Sequence, residues 1–349
     1  MKSQKILSLL LVLGLVSCCF MFCGFTFFKK NVKANETKTQ TVQNYSTVQN
    51  DLWCVTFQLV WNEFMDKITN GNPVQFVGGN PQIADELNKK NYTKEILSSN
   101  SYYIEQGKIS KSLKRKIERN IKWKFNEKSD VLDFIDWDLK DSYLFYAMLK
   151  KNFTYKTAFD KLSSQKFNNS TENYKYFGVN RSSDKKLREN VNVLFYNSPE
   201  EYAVRLLTKE KEDVILFRTD RKDSFENLYA YVNDNSKNDE FTKMDTLKVP
   251  QLAVDKTLSY TDLTGKQIQG TRYFISQALQ TIKFNLDEKG GSLKSEAVIG
   301  AVKMSLMPNM EKPRYFNFDK PFVLYLVERG KDKPYYAMNV STTDYLVKE

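Results

Sequence analysis

Apolar positions recur at two different periods along the chain. Trp53, Phe57, Leu59, Val60, Phe64 and Ile68 follow helical spacing, which predicts a helix over 52–68. Asn70, Gly71, Asn72 and Pro73 end it. A less regular helical pattern covers 82–97, and 101–104 reads as a short strand closed by Gly107. Leu113, Ile117, Ile121 and Phe125 repeat every four residues, so a further helix carries one apolar stripe. Its other faces hold Lys111, Lys114, Arg115, Lys116, Arg119, Lys122 and Lys124. Beyond Tyr143 alternating and aromatic runs take over, and they predict strands at 143–149, 191–196, 214–217, 228–232, 247–254, 282–286 and 322–327. No repeat of 20–50 residues is present. No Pro/Gly-rich linker divides 51–349, which therefore reads as a single α+β domain.

The segment after Glu288 has the clearest alternation. Gly291, Leu293, Ser295, Ala297, Ile299 and Ala301 are small or apolar, while Lys294 and Glu296 fall on the opposite parity. This is the pattern of a strand with one buried face. Lys303 is the first charge on the inner parity, and Met304 through Pro313 reads as an exposed loop.

The N-terminus differs from the rest. Lys2 and Lys5 precede an almost purely apolar run from Ile6 to Phe28, and Lys29 and Lys30 close it. The run is long enough to span a bilayer, which takes about 20 residues. Three readings stay open: a lipoprotein box ending at Cys18, a cleaved signal with its small-residue site at Val32, Lys33 and Ala34, and an uncleaved anchor. Each puts the rest of the chain outside the cytoplasmic membrane, secreted or tethered to its outer face, with residues 1–34 as signal or anchor. Residues 35–50 are polar enough to be a flexible tether.

Composition then narrows the chemistry. The formal net charge is +11, of which Lys2, Lys5, Lys29, Lys30 and Lys33 supply five, leaving +6 for 35–349. That is a mildly basic globule, and nucleic acid is not expected as a partner. The basic helix reads first as a solvated face, with weak contact to a polyanion or membrane surface through Lys111 to Lys124 as the alternative. There is no histidine, which removes Ser-His, Cys-His and His-metal mechanisms together. Three of the four cysteines lie in the N-terminal run, so the globular part has only Cys54. No metal or other cofactor is expected. Asp136 and Asp138 lack a third ligand or acid. Two Ser-x-x-Lys matches, at Ser163 to Lys166 and Ser182 to Lys185, lack partner motifs, so the chain does not read as an enzyme.

Several stretches resemble the serpin family. Phe284, Asn285, Leu286 and Asp287 run into Glu288, Lys289, Gly290 and Gly291, similar to the serpin strand that ends in Glu-x-Gly before the reactive loop. Phe316, Lys320, Pro321 and Phe322 resemble the Phe-x-x-x-(Arg/Lys)-Pro-Phe strand that follows the loop, and the segment from Lys333 to Val340 resembles the closing strand. Tyr146 to Phe153 with Phe159 is similar to a strand of the central sheet, and Thr246 to Leu252 to the Val-x-Leu-Pro strand.

The resemblance implies an α+β fold with a large mixed central sheet, a second sheet or barrel, and N-terminal helices. It implies inhibition of a serine or cysteine protease: the loop is cleaved, and its hinge inserts as a new central strand. The hinge would comprise Glu288, Gly290, Gly291, Leu293, Ser295 and Ala297, and the scissile bond would join Met304 to Ser305. The stretch between Phe134 and Tyr143 is too short for the helix that serpins lay across the front of the main sheet, so a reduced form is expected. A non-inhibitory binding or structural protein on the same fold is the alternative.

Overall fold

The computed structural model describes residues 42–44, 51–139, 141–295 and 313–349, and in it the alternating runs form three sheets. The first has six strands. Its order is β1 (Val42–Asn44), β12 (Leu252–Ser259), β13 (Leu279–Leu286), β14 (Gly290–Ser295), β4 (Tyr143–Thr154) and β3 (Tyr102–Lys108). β1 joins β12 in parallel and every other pair is antiparallel, so the sheet is mixed. The second sheet is antiparallel throughout. It runs β10 (Asp239–Glu240), β7 (Val191–Ser198), β8 (Glu201–Leu207), β9 (Glu212–Arg218), β16 (Phe322–Glu328), β17 (Tyr336–Val340) and β2 (Leu52–Cys54). The third holds β15 (Tyr315–Asn317), β11 (Thr246–Pro250), β6 (Asn173–Val179) and β5 (Asp160–Lys166).

The main core lies between the first two sheets. Leu149, Phe153, Ile282, Phe284, Leu286 and Leu293 come from one, and Val204, Leu216, Leu324 and Met338 from the other, all fully or nearly fully buried. Strand alternation sends the opposite parity outward. Thus Ile215, Phe217, Val323 and Tyr325 cover the far face of the seven-stranded sheet with helix α5 (Phe225–Asn235). Helix α1 (Thr56–Ile68) buries Phe57, Leu59, Trp61 and Met65 in the main core, and the short α2 (Gln82–Asn88) adds Ile83, Ala84 and Leu87. Among the described residues the remaining α-helices are α3 (Lys111–Phe125) and the single turn α4 (Lys185–Arg188). Among the described residues no helix is long and apolar enough to cross a membrane.

Several sequence expectations change. Residues 52–68 begin as a strand, because Leu52, Trp53 and Cys54 pair with β17 before the helix starts. Residues 228–232 are helical: Ser224 caps the amide of Asn227 at 3.2 Å, and Leu228, Tyr229 and Val232 form one helical stripe. Residues 247–254 split into two strands of different sheets at Gln251. The largest correction concerns the front of the six-stranded sheet. A helix does lie across it, ahead of Phe134. It is α3, capped by Ser110 at its start and by left-handed Asn126 at its end. Leu113, Ile117, Ile121 and Phe125 pack on Tyr146 and Met148 of β4.

Candidate functional site

The described residues expected to form the hinge lie in and after the turn of a hairpin. β13 reverses through Asp287, Glu288 and Lys289 into β14, with Leu286 opposite Gly291. The Asp287 side chain accepts hydrogen bonds from the amides of Lys289 (2.8 Å) and Gly290 (3.2 Å), a common reason for Asp to start a turn. Two backbone bonds tie the turn to the connection after β4: Tyr155 donates to the carbonyl of Lys289 (2.9 Å) and Phe159 to that of Glu288 (2.8 Å). The buried Glu288 carboxylate accepts from Gln251 (3.0 Å) and pairs with Lys161 (3.4 Å).

β14 lies between β4 and β13, antiparallel to both. Its first residues fit because they lack side chains. A Cβ on Gly290 would sit 2.2 Å from the carbonyl oxygen of Phe153, and one on Gly291 2.6 Å from the Phe153 ring. Leu293 follows, opposite Phe284 on one side and Lys151 on the other, fully buried in the main core. The inner parity expected for Leu293 is the one it occupies. Ser295 is the last described strand residue. Among the described residues β4 and β13 make no ladder with each other. Among the described residues, Tyr143 to Met148 of β4 and Leu279 to Thr281 of β13 have no strand partner on their facing edges.

Lys294 points to the front, under α3's exit, and is not free in solvent. Lys150, Lys294 and Lys283 stand side by side on β4, β14 and β13. The segment after α3 meets them with two carboxylates. Asp130 pairs with Lys294 (2.9 Å) and Lys283 (3.0 Å), while Glu127 pairs with Lys150 (2.7 Å) and Lys294 (3.5 Å). Lys294 also donates to the carbonyl of Lys128 (2.9 Å). Burial raises the Asp130 carboxyl, but the Lys294 and Lys283 ammonium groups outweigh it and hold the acid below its ordinary range. Glu127 is lowered in the same way by Lys150 and Lys294 against its burial.

A second ionic cluster lies behind β14. Lys151 reaches from β4 across the core to Glu212 (2.5 Å) and Glu328 (3.1 Å), which are register partners on β9 and β16. Tyr335 donates to Glu212 (3.0 Å), and the Ser98 hydroxyl binds Glu328. Burial pushes the Glu212 carboxyl up against the opposing pull of Lys151. Sequence reading passed over both clusters. The available signal was charge inside otherwise apolar strands, at Lys150, Lys151 and Lys283.

The other predicted residues fall as follows. Ala297, Met304, Ser305 and Cys18 lie outside the described residues. The Asp136 carboxylate accepts from the amide of Asp138 (3.0 Å) in a turn. Ser183 binds Asp160 (2.5 Å), and Ser182 binds Asn180 (2.6 Å). Among the described residues no group of three or more side chains is placed to hold a metal.

No protein-family model matches the chain, and no curated protein matches its sequence. Among solved structures it is similar to thyroxine-binding globulin in complex with thyroxine, at 13% identity and a TM-score of 0.45 over 84% of this chain and 93% of that one. It is also similar to human thyroxine-binding globulin, at 11% identity and a TM-score of 0.44 over 84% and 92%. A third similarity is to Serpin48 of the insect Tenebrio molitor, at 13% identity and a TM-score of 0.43 over 82% and 96%. The fold is serpin-like in its own connectivity: an apolar strand, β13, that leads into the turn at Glu288, a following strand set between β13 and β4 and antiparallel to both, and a return through β15 into β16 and β17.

Proposed function

We propose that the chain is an extracytoplasmic, surface-tethered inhibitor of a serine or cysteine protease that acts by loop cleavage and strand insertion. The observation that carries this reading is β14, which already occupies the first part of a slot whose remaining edges lack strand partners among the described residues. Cleavage near Met304 would free the segment that follows Ser295. Extending the observed register would bring Ser295 through Ala301 opposite Leu149 through Tyr143. Ala297, Ile299 and Ala301 would then share the core-facing parity of Leu293. Glu296 would lie one row from Lys150, Lys294 and Lys283 on the same face, where its charge is favourable. At about 1 kcal/mol net per new hydrogen bond, some seven residues paired with β4 and three more with β13 give on the order of 10 kcal/mol.

The test is incubation with a panel of proteases. The proposal expects an SDS-stable complex with at least one of them. Nicked loop with every protease and no complex counts against it.

A second reading has its own observation. Leu293 is fully buried and Lys294 is gripped in the uncleaved chain, so part of the insertion energy is already spent. A sheet closed in this way suits a non-inhibitory binding or structural protein. Such a protein gains little thermal stability when its loop is cut.

A further inference from the structure

We infer that the outer face of α3 is a docking surface for an anionic lipid bilayer. Opposite the buried stripe, Arg115, Arg119 and Trp123 recur every four residues, flanked by Ser112, Lys116 and Lys122. Trp123 is 86% exposed, the most exposed of the large hydrophobic side chains among the described residues. Arg115 and Arg119 form no ion pair among the described residues, whereas Lys111, Lys114 and Lys116 each have a carboxylate partner. The one acid of the helix, Glu118, pairs with Lys114 at the edge of this face. The result is an uncompensated cationic stripe ending in an indole.

The indole selects the occupant. A soluble polyanion is satisfied by Arg and Lys alone and leaves Trp123 in water. A bilayer interface takes both, with guanidinium groups at the lipid phosphates and the indole at headgroup depth. Trp also has the geometry to do this from a helix, since its ring is apolar and its N–H remains available to the headgroups. The setting rests on the tethering of the proposed function, because a chain held at a membrane by its N-terminal run meets that surface first.

The experiment uses the full chain reconstituted into nanodiscs of phosphatidylcholine, with and without one part in three of phosphatidylglycerol, carrying brominated acyl chains. Tryptophan emission is compared between wild type, Trp123→Phe and the Arg115→Gln/Arg119→Gln pair. Wild type in anionic discs should lose about twofold more emission than Trp123→Phe, and the loss should disappear in neutral discs, in high salt and in the double variant. Co-elution with discs without any quenching of Trp123 overturns the docking face and leaves the tether standing. Co-elution with anionic discs alone, abolished in the double variant, supports the face and removes the tether. Retention on heparin that depends on Arg115 and Arg119, with no quenching by lipid, assigns the face to soluble polyanions and overturns the inference.

Discussion

Gly290 and Gly291 decide whether a strand can lie beside Phe153. Alanine at Gly290 would place its Cβ against the Phe153 carbonyl, and backbone cannot yield as a flexible side chain can. The substitution should cost about 1–3 kcal/mol in denaturant unfolding and should loosen β14 in hydrogen exchange. Unchanged protection of Leu293 would count against the placement of the hinge.

Lys151 is the other decisive residue. Without it two register-paired glutamates, Glu212 and Glu328, face each other in the core. Lys151→Met should destabilise by roughly 3–5 kcal/mol at neutral pH. Burial raises the Glu212 pKa, so proton uptake there on acidification favours the folded chain, and that contribution is lost as pH rises. The penalty of Lys151→Met should therefore shrink as the solution is acidified towards pH 5, measured by urea unfolding at both pH values.

At the scale of elements, the hinge hairpin, α3 and the segment between α3 and β4 act together through the lysine row. A double-mutant cycle of Lys294→Met and Asp130→Asn should give a coupling of about 1 kcal/mol, since both side chains are mostly covered. Asp130 and Glu127 have lowered pKa values, so their contribution is present above the ordinary carboxylate range and lost as pH falls through the folded values. The penalty of Lys294→Met should accordingly fade below about pH 4.

Much of this level was legible in the sequence. The stripe of α3 follows from Leu113, Ile117, Ile121 and Phe125, and the hairpin from the alternation about Glu288 and Gly291. What escaped was tertiary. The run at 228–232 is equally apolar as strand or helix, and only the Ser224 cap and the packing of α5 on the seven-stranded sheet decide it. Pairing of Leu52 to Cys54 with β17 spans nearly the whole chain and leaves no local trace. The partners of Lys294 lie more than 160 residues upstream, so the charge was visible on its parity while its cover was not.

At the scale of the whole molecule, the described strands on either side of residues 296–312 lie in different sheets: β14 in the first, β15 in the third. Under the proposed function, a cut between them would remove the restraint that joins them and let β14 lengthen. The most direct measurement is the melting temperature of the purified chain before and after a single cut near Met304. Completed insertion predicts a rise of roughly 10–20 °C. An unchanged or lower melting temperature after the cut would contradict the account.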